Sequence, residues 1–304
     1  MKIKITAAAA AGRLDVFLTP ALQQSRSQVQ RLVKDGLVTV NGQPAKSNYQ
    51  LKSGDVLAVS QPAGAKELAR LKPLPAIKII KDTADYLVLN KPAGLLVHAA
   101  AGKRELTLAD WLIKYYPEIK TVGDDPARPG IVHRLDREVS GLMVAAKTPA
   151  AFASLKQQFQ SRAIVKEYRA LVYGVLTEDS GVINFLLGRG PRGKMAARPL
   201  GQSGKEAITE YQVLKRFINY TYLRLLIKTG RTHQIRAHLA ALDHAVVGDN
   251  LYGSKAARAK NKKLNLGRLW LVATRLAFRD LQGKQQEFKI NLPPELKIFL
   301  TAVK

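Results

Sequence analysis

The chain has 304 residues and is 46% hydrophobic, which allows a small domain beside a larger one with a sizeable core. Its 49 Lys and Arg outnumber its 23 Asp and Glu, and the net charge of +26 favours a polyanionic partner such as nucleic acid. The absence of cysteine excludes disulfides and thiolate catalysis and suits the cytoplasm, where we expect the protein. No apolar run approaches the roughly 18 residues of a transmembrane helix, so we expect no membrane association.

The first residues are interpreted as a short strand and an alanine-rich leader rather than a targeting signal, because their apolar stretch is short and weakly hydrophobic. Residues 12–60 follow as a compact basic unit. Ser25 offers a helix N-cap before an apolar stripe, and Gly36 suits the end of that helix. The pair Asn41-Gly42 is typical of a tight hairpin between two strands.

The polar face of this helix is basic, and the plainest interpretation of such a face is that it is only solvated. Four signals nevertheless occur in a fixed order: Gly12-Arg13-Leu14-Asp15, Ser25-Arg26-Ser27, Val40-Asn41-Gly42 and Gly54-Asp55. With this order the segment resembles the S4 RNA-binding domain. The resemblance implies that four cations contact RNA phosphate: Arg13, Arg26, Arg31 and Lys34.

Residues 61–76 contain prolines and scattered basic residues without a sustained period, which predicts a linker. Residues 77–304 alternate short strands with a few helices and show no regular βαβ repeat. That pattern predicts an α+β domain built on a mixed, mainly antiparallel sheet. Within it, Thr148-Pro149 is typical of a helix start, and Val165–Tyr173 alternates like a strand.

The most informative segment is His133-Arg134-Leu135-Asp136-Arg137-Glu138-Val139-Ser140-Gly141. Short apolar runs on both sides predict a strand, a polar loop that presents Asp136, and a second strand. A carboxylate beside a buried sheet needs a cation partner to remain charged. A structural Arg–Asp pair would satisfy this pattern, as would a reactive carboxylate.

This segment resembles the catalytic motif of the RluA family of pseudouridine synthases, and further matches to that family extend over nearly the whole chain. In the family, the aspartate is the nucleophile that isomerises uridine to pseudouridine in RNA. The resemblance therefore implies an isomerase with Asp136 as its nucleophile and with no cofactor. It also places His133 and Arg134 against the RNA, with Arg134 filling the stack that a flipped uridine leaves.

Further segments match the same family in order. Lys91, within Asn90-Lys91-Pro92-Ala93-Gly94, belongs to a motif that shapes the floor of the site and is predicted to contact substrate. Tyr168 matches the tyrosine that packs against the target base, although a tyrosine in a strand is more often part of a core.

The segment Gly230 to Leu239 is the most specific match after the Asp136 motif. Its pattern predicts a strand end at Gly230 and a helix capped by Thr232. The resemblance implies that Arg236 forms the salt bridge that keeps Asp136 ionised, and that Arg231 and His233 contact RNA. Gly248-Asp249, which follows, also matches the family.

Other classes of protein lack their signatures here. His233 and His238 are five residues apart rather than i, i+4, and no HExxH occurs, so no metal is expected. The phosphate-binding and dinucleotide-binding glycine motifs are absent, as is the GxSxG elbow. An RNA-binding module without catalysis is the first alternative, opposed by the intact set Asp136, Tyr168 and Arg236. An S4-bearing aminoacyl-tRNA synthetase and a basic DNA-binding protein are others, and neither has its motifs here.

The order of the two domains implies large-subunit ribosomal RNA as the substrate rather than transfer RNA. The sequence does not give the oligomeric state, and we expect a monomer. Attack of Asp136 on the ribose anomeric carbon and attack on ring carbon C6 both stay open. Two positions depart from the family pattern, with Val139 where threonine is usual and Val272 where histidine is common. Neither is one of the expected chemical groups, so we expect activity, with altered fine positioning of the loop.

Overall fold

The computed structural model describes residues 2–6, 12–60, 74–99, 105–190, 194–199 and 201–303. The chain forms two compact units, one made by Met1–Pro73 with Ala99–Leu106 and the other by Leu74–His98 with Thr107–Lys304. Most of the predicted linker, at 61–73, lies outside the described residues. The same holds for residues 7–11 of the predicted leader.

The first unit combines two helices with a four-stranded antiparallel sheet in the order β1-β4-β2-β3. Its elements are β1 (Lys2–Lys4), α1 (Leu14–Ala21), α2 (Arg26–Lys34), β2 (Val38–Val40), β3 (Gln43–Pro44) and β4 (Val56–Val59). Ser25 caps α2 in a capping box with Gln28, and Asn41-Gly42 joins β2 to β3, as the sequence predicts. Leu14, Leu18, Val29 and Leu57 belong to a core shared by the helices and the sheet.

The second unit is built on a ten-stranded sheet in which nine strands follow the order β10-β9-β11-β12-β8-β13-β7-β6-β5, while β14 pairs with β13. Its strands are β5 (Lys78–Asp82), β6 (Tyr86–Lys91), β7 (Ser140–Ala146), β8 (Val165–Tyr173), β9 (Ser180–Arg189), β10 (Met195–Arg198), β11 (Lys205–Arg216), β12 (Tyr220–Ile227), β13 (Leu271–Arg279) and β14 (Gln285–Lys289). Only the β7–β13 pair is parallel among the described strand pairs. The prediction of an α+β fold with a mixed, mainly antiparallel sheet is confirmed.

Helices pack against this sheet around separate hydrophobic clusters. They are α3 (Leu108–Tyr115), α4 (Pro149–Gln160), α5 (Gln234–Ala241), α6 (Lys255–Leu264) and α7 (Pro294–Ala302), with a 3-10 turn at Pro117–Thr121. The largest cluster joins α3 and α5 to Tyr168 and Ala170 of β8. Another joins α6 and α7 to Leu171 and Tyr173 of the same strand. Because successive strand side chains point to opposite faces, β8 is covered on both sides.

Within the part of the chain that the structure describes, no helix is both long enough and apolar enough to span a membrane.

Candidate active site

Asp136 lies in a loop that leads into β7. The predicted strand before this loop is wrong, because Ile131 forms only an isolated bridge, to Ala145, and residues 132–139 are irregular. The strand after the loop is confirmed as β7, which is buried along its whole length. The loop closes on itself where the Val139 amide donates to the Asp136 carbonyl at 3.2 Å. Asp136 is therefore presented by a short loop just before a fully buried strand.

Gly141 explains how β7 can start where it does. Its φ is +126°, and a Cβ there would lie 2.2 Å from the Ala273 carbonyl oxygen of β13. A side chain cannot occupy that space, so only glycine lets the two parallel strands approach directly behind the Asp136 loop. The glycine that ends the motif thus has a packing reason.

Lys91 supports the same loop from below. Its side chain is fully buried, and its amine donates to the carbonyls of Pro92, Leu95 and Arg137 at 2.9, 2.8 and 3.2 Å. Burial lowers the pKa of Lys91 to about 7, whereas the carboxylates of Asp136 and Glu138 act in the opposite direction. Lys91 therefore lies under the loop with its amine bound to main-chain carbonyls, and its contact with substrate stays a prediction.

His133 braces the loop against β7. Its Nε2 accepts the Val144 amide at 3.0 Å, and its ring stacks on Phe159 at 4.6 Å between centroids. Burial lowers the pKa of His133 to about 3, with the Lys166 charge adding to the effect, so the ring is neutral at physiological pH. His133 also lines the groove described below, so it remains beside the predicted path of RNA.

Tyr168 projects from β8 into the site. It is 6% exposed, and burial, with a smaller contribution from Asp136, raises its pKa well above the usual range. The phenol is therefore a neutral ring in the wall of the cavity that Asp136 also lines. A flat, partly apolar ring in that position is suited to contact with a planar base.

Helix α5, which carries Arg236, starts differently from the prediction. Thr232 is exposed and does not cap the helix; the N-cap is His233, in the left-handed region at φ 54°. The Gln234 side chain provides the reason, because its Oε1 accepts the Arg231 amide at 3.1 Å and the Thr229 hydroxyl at 2.7 Å. The Gln234 amide nitrogen donates to β11 as well, which fixes the helix start to the sheet.

Arg236 approaches Asp136 as the resemblance implies, but Asp136 is not its main partner. Its Nη1 lies 3.5 Å from Asp136 Oδ2 and 3.5 Å from Glu138 Oε2. The other two nitrogens bind Asp249, with Nε to Oδ2 at 2.7 Å and Nη2 to Oδ1 at 3.0 Å. Arg236 is 4% exposed, so the tight bidentate pair holds its guanidinium in place and leaves Nη1 for Asp136.

Asp249 is the site residue whose role the sequence analysis missed. It is 1% exposed, and its Oδ1 also accepts the amides of Leu251 and Tyr252 at 2.9 Å each. Gly248 before it has φ +83°, and a Cβ there would lie 2.1 Å from the Arg268 carbonyl. A Gly-Asp pair ahead of a turn was the available signal, since glycine allows a close approach and a buried aspartate needs a cation.

The predicted chemical groups line one cavity of about 50 Å³. We call it the Asp136 pocket, and its lining includes Asp136, Tyr168, Arg236, Arg134, His233 and Val139. His233 Nδ1 is 3.0 Å from the Tyr252 hydroxyl, and burial lowers the pKa of its imidazole. Arg134 is exposed, and its Nη1 points to His98 Nε2 at 3.2 Å. Val139 is 2% exposed and Val272 is fully buried, so both departures from the family pattern are packed side chains.

A larger groove of about 610 Å³ shares Arg134, Tyr168 and Arg231 with this pocket. We call it the basic groove, and its cations include Arg128, Arg134, Arg162, Lys166, Lys228 and Arg231. Lys166 is 9% exposed and lies 5.6 Å from the centre of the Phe159 ring, with burial lowering its pKa to about 8. A concave strip of cations with aromatic rings matches the chemistry of a nucleic-acid strand.

Helix α1 of the first unit contains a buried carboxylate, Asp15, which contacts the basic helix α2. Asp15 is fully buried and accepts from Arg13 Nε and Nη2 at 3.0 Å, Arg26 Nε at 3.1 Å and Gln30 Nε2 at 2.6 Å. The side chains of Arg13 and Arg26 remain 40% and 51% exposed, so both can still reach a ligand. Arg31 and Lys34 are exposed near the end of α2.

In the described ranges, no group of three or more His, Asp or Glu side chains is arranged to hold a metal ion.

Residues 85–241 match the family described as RNA pseudouridylate synthase, and residues 12–57 match the S4 domain. A relative from Aquifex aeolicus (strain VF5), named Uncharacterized RNA pseudouridine synthase, is 41% identical over 94% of this chain and 92% of its own length. A Yersinia pestis relative, named Ribosomal large subunit pseudouridine synthase D, is 36% identical over 100% of this chain and 95% of its own.

The structure of Human RNA Pseudouridylate Synthase Domain Containing 1 superposes with a TM-score of 0.59 at 27% identity, covering 73% of this chain and 87% of the human chain. The family match spans more than half of the chain and includes Asp136, Tyr168 and Arg236. The chain therefore belongs to the RNA pseudouridylate synthase family: it is an RNA pseudouridine synthase, an isomerase, that carries an S4 domain.

Proposed function

We propose that Asp136 is the nucleophile that converts specific uridines of large-subunit ribosomal RNA to pseudouridine after the target base has been flipped out of its stack. The observation that carries the proposal is the state of the carboxylate. Asp136 is partly accessible, with a side chain 14% exposed, and lines a pocket with Tyr168. Its described cation partner, Arg236, is 3.5 Å away and is held mainly by Asp249.

This arrangement supports nucleophilic attack because it sets a positive charge beside the carboxylate without occupying its oxygens. A saturated carboxylate would have no lone pair to offer, and an isolated one beside a buried sheet would lose its charge. Arg236 supplies positive charge from one side, while the cavity leaves the other side of Asp136 open to a ligand. Covalent catalysis by a carboxylate requires this combination.

The proposed reaction rearranges the bonds of the substrate and needs no second reactant. Asp136 bonds to ribose C1′ or to ring carbon C6, and the N1–C1′ bond breaks. The base then rotates, and a C5–C1′ bond forms. The proton on C5 leaves and N1 gains one, so substrate and product are isomers and no electrons are exchanged. Asp136 leaves as a carboxylate in the last step, whether it had attacked C1′ or C6.

A base in folded RNA must leave its stack before Asp136 can reach it, at a cost of a few kcal/mol. Arg134 is placed to offset part of this cost, because it is exposed at the junction of the Asp136 pocket and the basic groove. Its planar guanidinium can stack in the gap, and its charge suits the neighbouring phosphates. Tyr168 then packs against the flipped uracil.

The rest of the RNA contacts follow from the charges. We assign the strand next to the target to the basic groove, with Arg231, His133 and His233 at its border with the pocket. Arg13, Arg26, Arg31 and Lys34 of the S4 domain contact phosphate elsewhere on the substrate. The name of the Yersinia pestis relative supports ribosomal large-subunit RNA as the substrate. We further propose that the enzyme works as a monomer in the cytoplasm, where this RNA is made.

The test is pseudouridine mapping in cells with and without this chain. Carbodiimide adducts on pseudouridine stop reverse transcription, so the modified positions appear as stops in total RNA. We expect stops at one or a few large-subunit uridines to disappear on deletion and to return with the wild-type chain. Asp136→Asn should not restore them. Glu138→Gln is the matched control, because Glu138 lies on the same loop at the same 3.5 Å from Arg236, and it should restore them.

Stops restored by Asp136→Asn would refute the assignment of the nucleophile. Stops lost from transfer RNA instead of ribosomal RNA would refute the substrate while leaving the nucleophile in place. Sedimentation of the purified chain tests the monomer.

A further inference from the structure

A third cavity, of about 640 Å³, lies on the face of β8 opposite to Tyr168. Glu167 and Arg169 flank Tyr168 in the strand and line this cavity, because side chains alternate between the two faces. We call it the reverse-face cavity, and its polar lining includes Glu167, Arg169, Arg224, Thr274, Arg275 and Lys289. It shares no lining residue with the Asp136 pocket or the basic groove.

The charges around the reverse-face cavity do not balance. Glu167 is 5% exposed and pairs with Arg169 at 2.5 Å and Arg224 at 2.8 Å, with Arg275 at 3.9 Å. Glu287, on the neighbouring strand, pairs with Arg275 at 2.8 Å and Lys289 at 2.5 Å. Four cations therefore face two carboxylates, which leaves two positive charges in excess. A network that served only to neutralise Glu167 would not need them.

Two buried donors at this cavity have no protein partner in the described structure. Thr274 is 7% exposed, and its hydroxyl makes no hydrogen bond; the same holds for Nε of Arg275. Both residues stand where the pairing of β13 with β8 shifts register, between Ala273 and Arg275. Buried polar groups are normally partnered, so adjacent unpartnered groups in the wall of a cavity point to a ligand that accepts hydrogen bonds.

We propose that the reverse-face cavity binds a phosphate group of the RNA substrate, at a point of the RNA away from the target uridine. The identity of the anion as RNA rests on the proposed function. A phosphate has enough oxygens to accept from the Thr274 hydroxyl and from arginine together, and it would neutralise the excess charge. The contact adds affinity without reading sequence, because phosphates carry none.

Binding of a long transcript of large-subunit ribosomal RNA over a range of salt concentrations tests this site. Lys289→Gln should lower the slope of log affinity against log salt by about one, because one phosphate contact is lost. Thr274→Val should weaken binding about tenfold, as expected for a lost hydrogen bond to a charged group. It should not lower the Tm, because the hydroxyl has no partner in the protein.

The matched control is Lys284→Gln, an exposed cation of the turn between β13 and β14 that is outside the cavity lining. Turnover on a short stem-loop that contains the target uridine should stay at the wild-type level in all three variants. That assay reports on the proposed function alone, so a wild-type chain that does not form pseudouridine would refute the proposed reaction without affecting the binding result.

Three results would overturn the proposal. The first is a salt slope for Lys289→Gln, or an RNA affinity for Thr274→Val, equal to that of Lys284→Gln. The second is that inorganic phosphate at fixed ionic strength raises the Tm of the wild type more than that of Thr274→Val, while the two proteins bind RNA with the same affinity. The cavity would then hold a small free anion. The third is that poly-glutamate binds the wild type more tightly than Thr274→Val, while both bind RNA with the same affinity. That result would assign the cavity to an acidic protein segment.

Discussion

The tripeptide Arg-Leu-Asp occurs twice in this chain, as Arg13-Leu14-Asp15 in the S4 domain and as Arg134-Leu135-Asp136 at the candidate active site. The leucine is buried in both copies. Asp15 is fully buried, and its oxygens accept four hydrogen bonds from the side chains of Arg13, Arg26 and Gln30. Asp136 is 14% exposed, and the nearest described guanidinium nitrogen is 3.5 Å away.

The difference between the two copies is the number of donors that reach the carboxylate. At Asp15 the arginine of the same tripeptide turns back and binds it. At Asp136 that arginine points to His98 instead, and the cation comes from Arg236, whose strongest pair is with Asp249. A carboxylate that only supports a fold is saturated, whereas one that reacts must keep its charge and its lone pairs.

The largest expected effect comes from the same substitution, Asp to Asn, made in each of the two copies. Asp136→Asn should lower the rate of pseudouridine formation on a short stem-loop at least about a thousandfold, as loss of a nucleophile does. RNA affinity should stay within about twofold, because the substitution removes no cation. Asp15→Asn should leave the rate on the same stem-loop close to that of the wild type. Single-turnover assays with purified variants measure both.

Equal losses of rate in the two variants would break the comparison, because they would mean that both aspartates act through folding. Near-UV circular dichroism of each variant distinguishes that outcome from a chemical defect.

The second effect concerns the cation that lies beside Asp136 without saturating its oxygens. Arg236→Ala leaves Asp249 fully buried without its cation, which can cost about 3–5 kcal/mol of folding stability, and it removes the charge next to Asp136. Asp249→Asn should also lower kcat with little change in KM, although Asp249 lies outside the lining of the Asp136 pocket. Thermal unfolding and steady-state kinetics on the stem-loop measure these effects.

Arg236→Lys sharpens this test, because one ammonium cannot reproduce the bidentate pair with Asp249 and the contact with Asp136. It should retain more stability than the alanine variant and still lose rate. Wild-type kcat in Asp249→Asn would contradict the role assigned to this pair.

Local features of this fold could be predicted from the sequence because their causes are local. Ser25 caps α2, Thr148 caps α4 with Pro149 in its first turn, and Asn41-Gly42 turns a hairpin. Each depends on hydrogen bonds or dihedral preferences within a few residues. The mainly antiparallel sheet also follows from a pattern without βαβ repeats.

Features that the sequence did not predict depend on residues far apart in the chain. The parallel pair of β7 and β13 depends on the approach of Gly141 to Ala273, which no local pattern records. In the sequence, Lys91 looks like an ordinary exposed cation. In the structure it is fully buried, and its amine donates to a carbonyl 46 positions away in the chain. The αL start at His233 and the Asp249 pair likewise depend on tertiary partners.

The third effect is a pH dependence of stability at the saturated copy, Asp15. Arg13, followed by Gln30 and Arg26, holds the pKa of Asp15 well below its usual range, although burial opposes the shift. A depressed pKa contributes stability that is complete above the unfolded value, near 4, and is lost as the pH falls toward the folded value. Protection of the 12–57 amides against hydrogen exchange, measured relative to the intrinsic rate at each pH, should therefore fall below about pH 4 in the wild type. In Asp15→Asn, the free energy of opening obtained from exchange should be lower at pH 7 by about 1–3 kcal/mol. Its dependence on acid pH should also be weaker than in the wild type.

The smallest effect concerns Val139, whose methyl groups line the Asp136 pocket where the family usually has threonine. Val139→Thr places a hydroxyl at a site that is 2% exposed, so stability should fall by about 1 kcal/mol. If that hydroxyl donates to Asp136 it begins to saturate the carboxylate, and turnover should fall by less than about tenfold.

Val139→Ala is the control, since it enlarges the pocket without adding a donor and should lower stability but not the rate. A rate lowered equally by both variants would assign the effect to packing. A rate lowered by threonine alone would show that an added donor at Asp136 is enough to move it toward the saturated state of Asp15.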